Sequence, residues 1–273
     1  MLVDGEVTEN LPLSDRAIHY GDGLFETILV RDGKAILWPQ HMQRLEKGAD
    51  TLKLRVDTDL IKTDAARLLA QHTGLGVLKI IISRGSGGRG YTPPDPSKPR
   101  RIVQLHALPK DYHSAKRGGI SAQVCTHPVS FNPRLAGLKH LNRLDQVMAS
   151  QELGPDIDEG LMFDPFGNLV EGIKSNVFII ETGTLVTPAL DNSGVAGIMR
   201  DQLINQAKAL EIPLAIENVS LERLQNASGA FVCNSVFGLW AITHLRVNGA
   251  DIHYPQADIF HRLDQAIADI LNS

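Results

Sequence analysis

Apolar runs of strand length, broken by tight-turn residues, dominate the first third of the chain. They run from Asp4-Gly5 to Leu24–Val30, then Arg31-Asp32-Gly33-Lys34, then Ala35–Trp38, a pattern that predicts two hairpins. Pro39 suits the first residue of a helix, where its missing N–H leaves nothing unsatisfied, and Met42, Leu45, Ala49 and Leu52 share one face of that helix. A second helix is expected over Asp59–Gln71. Strands follow at Val77–Ser83 and Arg101–Leu108, split by the glycine-rich run Arg84-Gly85-Ser86-Gly87-Gly88-Arg89-Gly90-Tyr91. The polar stretch Pro109–Gly119 reads as a linker. Beyond it the pattern predicts a strand over Ile120–Val129 and a helix after Asn142 that buries Leu144, Val147 and Met148 while Arg143, Asp145 and Gln146 stay wet. A meander through Gly160–Val186 comes next, then a helix on Ile198, Leu203, Ile204, Ala207 and Leu210. Two strands around Cys233 and Trp240 and a closing helix complete the chain. The expectation is an α+β (α/β) protein of two unequal domains: a smaller N-terminal α/β domain over 1–108, a linker over 109–119, and a larger β-rich domain with flanking helices over 120–273.

Composition narrows the class. A chain of 273 residues exceeds what one core comfortably serves, which favours two domains. Apolar residues at 43% and charged residues at 21% suit a soluble globular protein and exclude a coiled coil or a disordered chain. A net charge of -4 offers no basic field to nucleic acid or an anionic membrane. No apolar run has spanning length and the first residues lack a signal-peptide pattern, so a cytoplasmic protein is expected. Cys125 and Cys233 sit in apolar strand-like runs, where buried reduced thiols are expected. The 10 histidines form no paired ligand spacing, and no metal site is expected.

Lys139 is the leading candidate for chemistry. It stands between a small-residue loop and a helix start, an element junction at which an amine can do Schiff-base chemistry; a solvated charge is the alternative. The loop Gly194-Val195-Ala196-Gly197 feeds a helix and would expose backbone N–H groups suited to phosphate, or form a plain β-to-α turn. Arg44 lies on the flank of its helix, either solvated or making a two-pronged phosphate contact. Glu171 ends an apolar strand, exposed there or buried against a cationic partner such as a protonated pyridine nitrogen. Asn234-Ser235 at a strand terminus could form a turn or donate to an anion.

The segments Tyr20–Glu26, His41-Met42-Gln43-Arg44-Leu45, Gly137–Asn142, Glu171-Gly172 with Ser175-Asn176, and Gly197-Ile198-Met199-Arg200 resemble, in order and spacing, the fold-type IV pyridoxal-phosphate enzymes. Within that family, Ser83–Tyr91 and Lys139–Leu144 look most like its 4-amino-4-deoxychorismate lyases. The resemblance implies a two-domain fold-type IV architecture, a homodimer, and pyridoxal 5'-phosphate carried on Lys139. It also implies that Glu171 faces the ring nitrogen, and that Arg44 with the Ile198 and Met199 amides beside Gly197 holds the phosphate. Asn234 and Ser235 would complete the phosphate cup. Relatives place small hydroxyl residues after the Glu-Gly pair where this chain has Ile173-Lys174, leaving Ser175 and Asn176 for that role. Arg84, Arg89, Tyr91 and Phe25 would meet substrate, with Arg89 at the loop tip. The implied reaction is elimination of pyruvate to give 4-aminobenzoate on the folate route. An aminotransferase of branched-chain or D-amino-acid type is the alternative, and a non-catalytic homologue the third reading.

Overall fold

The computed structural model describes residues 1–110, 112, 116 and 118–272. Residues 111, 113–115 and 117, inside the expected linker, lie outside the described residues. Two compact units emerge, one of Met1–Lys110 with Leu138–Asn142, the other of Asp111–Gly137 with Arg143–Ser273.

In the first unit, β1 (Leu2–Val3), β2 (Glu6–Val7), β3 (Gly23–Arg31), β4 (Lys34–Ala35), β5 (Leu75–Ser83) and β6 (Arg100–Ala107) form a sheet ordered β2-β1-β6-β5-β3-β4. Its neighbouring strands are antiparallel. Both Asp-Gly pairs turn the chain with left-handed backbone, φ 51° and 88° at Asp4-Gly5 and 47° and 76° at Asp32-Gly33, the geometry that two-residue hairpins require. The helices are α1 (Arg16–Tyr20), α2 (Trp38–Leu52) and α3 (Thr58–Leu69). Strand β4 stops at Ala35, short of the expected Trp38, because Leu37 takes φ 56° and turns the chain into α2, with Pro39 in its first turn. Met42, Leu45 and Ala49 of α2 pack with Ile61 and Ala65 of α3 onto Leu24, Ile28, Leu78 and Ile80 of the sheet. Each large side chain buried there is worth about 1.5–3 kcal/mol over exposure, so this core holds α2 and its polar flank in place.

The second unit comprises β7 (Ile120–Val124), α4 (Leu144–Ser150), β8 (Glu159–Phe163), β9 (Asn168–Gly172), β10 (Asn176–Glu181), β11 (Thr184–Pro188), α5 (Ile198–Ala209), β12 (Leu214–Glu217), β13 (Val219–Ser220), α6 (Leu221–Asn226), β14 (Gly229–Asn234), β15 (Gly238–Val247), β16 (Ala250–His253) and α7 (Asp258–Asn272). Its sheet runs β12-β11-β10-β14-β15-β7-β8-β9-β13, with β16 added to β15. The expected meander is in fact two separate hairpins, β8-β9 and β10-β11. The Ile173 N–H donates to Gly160 O, and the Gly172–Ser175 turn releases the chain to pair β10 with β14. Strand β7 ends at Val124 rather than Val129 because the Glu152 carboxylate takes the Thr126 and His127 amides. Cys125 and Cys233 are buried free thiols, and burial pushes Cys125 up to about 12. No helix among the described residues is long and apolar enough to cross a membrane.

Helix α4 reverses the sequence expectation. Leu144, Val147 and Met148 are 75%, 47% and 48% exposed, while Ala149 is fully buried. Asp145 points inward to accept from Ser130 N, and Gln146 donates to Glu171. In this seven-residue helix one small side chain and two hydrogen-bonding ones set the inner face, outweighing the apolar period.

Candidate active site

Lys139 does not lie at a helix start. Residues 138–142 run extended along the edge of β3, where Phe25 N donates to Lys139 O at 3.0 Å and Leu141 N to Gly23 O at 3.1 Å. Gly23 permits this approach, since a Cβ there would fall 2.3 Å from Ile82 O and 2.9 Å from Leu141 Cδ1. Asn142 Nδ2 donates to Gly21 O, and α4 begins only at Leu144. The segment fixes the backbone of Lys139, and its Nζ lies 4.3 Å from the centroid of the Phe25 ring. That attraction places the amine over the ring face.

On the opposite face of β3, Glu26 is 1% exposed and joins two partners on α2, neither His41 nor Glu26 having been assigned a role from sequence. Arg44 donates to it from Nε at 2.8 Å and Nη2 at 2.5 Å, and His41 Nδ1 lies 2.6 Å from Oε2. Burial opposes ionisation of Glu26, yet the Arg44 charge and the hydrogen bonds from Arg44 and His41 prevail and hold its pKa at about 2. Burial lowers His41, keeping the imidazole neutral, and its Nε2 is buried with no hydrogen-bond partner. The fork of Arg44 expected for phosphate is therefore closed on a carboxylate, and a phosphate contact must use donors outside those two.

The glycine-rich loop also differs from expectation. Arg84 is 7% exposed and committed: Nε donates to Asp22, while Nη1 and Nη2 donate to Lys53 O and Leu52 O at the C-terminal end of α2. It caps that helix end, where exposed carbonyls and the dipole favour a cation, and is not placed to meet substrate. Arg89 and Tyr91 are exposed, Tyr91 at 87%.

In the second unit, Glu171 is 4% exposed on β9 and receives hydrogen bonds from Gln146 Nε2 at 3.2 Å and Val195 N at 2.8 Å, and its charge also acts on the Arg143 guanidinium. The loop before α5 is tied down closely. Gly137 N donates to Gly194 O, Ala196 N to Gly137 O, and Asn176 Nδ2 to Val195 O. Gly194 has φ 82°, and a Cβ on Gly197 would lie 1.8 Å from Asn176 Oδ1, so both positions need glycine. Gly197 thus delivers the Ile198 and Met199 amides to the start of a 12-residue helix, the local geometry that binds anions. Ser175, expected to reach the cofactor, instead donates to the buried Glu159, which burial raises above the usual carboxylate range. Asn176 shapes the loop, and Asn234 shapes a turn: its Nδ2 donates to Lys174 O and its Oδ1 accepts from Val236 N and Phe237 N. Ser235 sits in that turn.

A first unit with a lysine pinned to a sheet edge, and a second with a buried carboxylate beside a glycine-opened helix, define a fold-type IV enzyme. Residues 23–245 match the amino-transferase class IV family, and the chain belongs to it. It is 38% identical to the 4-amino-4-deoxychorismate lyase of Pseudomonas aeruginosa, with a TM-score of 0.91 covering 100% of this chain and 99% of that one. It is 29% identical to the aminodeoxychorismate lyase of Vibrio harveyi over 96% of this chain and 97% of that protein. A putative branched-chain-amino-acid aminotransferase of Methanocaldococcus jannaschii is 27% identical over 94% and 89%.

Proposed function

We propose that this protein is a pyridoxal-phosphate-dependent lyase that removes pyruvate from 4-amino-4-deoxychorismate to give 4-aminobenzoate. The observation that carries the reading is Lys139, whose backbone is fixed to β3 and whose amine is set over Phe25. The side chains fit pyridoxal phosphate: an amine for covalent attachment, a buried carboxylate, and a helix N-terminus for phosphate. Lyase is preferred to aminotransferase on the 38% identity to the Pseudomonas aeruginosa lyase across the whole chain.

When bound, the cofactor supplies an electron-withdrawing ring that takes up the electron pair left by the departing proton. Lys139 would hold the cofactor through its amine, and that amine, when free, would remove the proton from the amine-bearing carbon of the substrate. Glu171, with Gln146 and Val195 fixing both its oxygens, would be the carboxylate that meets the ring nitrogen. Gly197 with the Ile198 and Met199 amides, together with Ser235, would hold the phosphate. Arg89, Tyr91 and Phe25 meet the substrate. The neighbouring carbon–oxygen bond breaks, the ring becomes aromatic, and the released enolpyruvyl group takes up a proton to leave as pyruvate.

The working form is a homodimer in the cytoplasm, a reading supported by the outward apolar face Leu144, Val147 and Met148 and by two reduced thiols. Visible absorbance of the bound cofactor tests the reaction class. With aminodeoxychorismate and no keto acid, the starting band should return once substrate is consumed. Its permanent loss until a keto acid is added would make the protein an aminotransferase.

A further inference from the structure

Arg16 is 4% exposed, yet the residues that hold it belong almost entirely to the glycine-rich loop. Its Nη1 donates to Gly90 O at 3.0 Å, with longer contacts to Thr92 O at 3.4 Å and Gly87 O at 3.5 Å, and its Nη2 donates to Tyr91 O at 3.0 Å. Nε is anchored on Asp22 at 2.9 Å, and the guanidinium carbon lies 4.7 Å from the Tyr20 ring centroid. Tyr20 in turn packs on Tyr91 at 5.4 Å.

Charge explains why the loop closes on this residue. Asp22 also binds Arg84, so one carboxylate serves two buried guanidinium groups. Burying a cation is costly unless its donors are satisfied. Arg84 finds its remaining acceptors at the end of α2, whereas Arg16 finds them in the carbonyls of residues 87–92. Gly85, Gly87, Gly88 and Gly90 all have positive φ, so the run has little intrinsic preference for one path and takes its shape from the cation inside it. The contacts Arg16 N to Gly85 O and Ser14 Oγ to Ser86 Oγ fix the near end, and Thr92 N to Arg89 O at 3.2 Å closes a turn at the tip, which leaves Arg16 to tie that turn to the rest of the unit.

We infer that Arg16 is a specificity-determining positioning residue: by gathering the carbonyls of residues 87–92 around its guanidinium, it holds the loop in the one shape that presents Arg89 and Tyr91 to a substrate carboxylate. This rests on the lyase reading, in which that loop meets substrate. Arg16 itself touches no reacting atom, so its loss raises KM and leaves the chemistry intact.

The test compares Arg16→Met, Arg16→Lys and Arg89→Ala in the cofactor-loaded enzyme, reading amide hydrogen exchange over residues 85–93, KM and kcat for aminodeoxychorismate, and cofactor absorbance. Arg16→Met should speed exchange in the loop and raise KM on the order of tenfold or more, the loss expected when a hydrogen bond to a charged group is weakened, with kcat within about threefold and absorbance unchanged. Arg16→Lys keeps the charge on Asp22 with fewer donors and should fall between, and it serves as the reading if Arg16→Met does not fold. Arg89→Ala should raise KM without loosening the loop. Unchanged loop exchange in both Arg16 variants overturns the inference. So does a loosened loop with normal KM while Arg89→Ala has a raised one. Normal KM in Arg89→Ala and both Arg16 variants removes the substrate-facing role of the loop, and the inference with it.

Discussion

Glu26→Gln removes the charge from the buried Arg44–Glu26–His41 cluster with little change of shape. The carboxyl drops from 4.5 to about 2 on folding, which at about 1.4 kcal/mol for each tenfold in proton affinity is worth roughly 3 kcal/mol. Breaking a buried pair generally costs about 3–5 kcal/mol. The lower end applies here, because His41 is already neutral and the Arg44 side chain, 13% exposed, can find some water. A folded value below the unfolded one means the stabilisation is fully present above about pH 4.5 and is lost as pH falls through about 2. Urea unfolding of wild type and variant, with excess pyridoxal phosphate, should show a gap of roughly 3 kcal/mol that is constant from about pH 7 to about pH 5 and narrows below about pH 4.5. A gap under about 1 kcal/mol at neutral pH, or one that stays constant down to about pH 3, would refute the cluster as a charge-stabilised unit.

Borohydride reduction and peptide mapping should place a pyridoxyl group on Lys139, and a label solely on another lysine would remove its role. Glu171→Gln should lower turnover on the order of a hundredfold or more with cofactor affinity largely kept; unchanged turnover would separate Glu171 from the ring. Val147→Asp, on the exposed face of α4, should leave the fold stable and halve the mass seen in sedimentation, whereas an unchanged mass would place the subunit interface elsewhere.

Local chemistry made much of the fold legible. Asp-Gly pairs announced both hairpins because few other dipeptides accept left-handed backbone at adjacent positions, and Met42, Leu45 and Ala49 announced the buried face of α2. Periodicity failed at α4 because it marks an apolar face without saying what covers it, and there the fold is served by Ala149, Asp145 and Gln146. The site divided the same way. Lys139, Glu171 and the Gly194–Gly197 loop stand out as residue types in a motif. Arg16, Glu26 and His41 act through partners that only β3, α2 and the loop bring together, and Arg84 looked free because its acceptors, Leu52 O and Lys53 O, lie some thirty residues away in sequence. Asn176 and Asn234 likewise read as ligands when their amides are spent on backbone.

The most direct measurement is the product stoichiometry on aminodeoxychorismate with no keto acid present. The account predicts 4-aminobenzoate and pyruvate in equal amounts over many turnovers from the wild type, and neither above background from Lys139→Ala. Substrate deaminated in an amount no greater than the enzyme, with no 4-aminobenzoate formed, would contradict it.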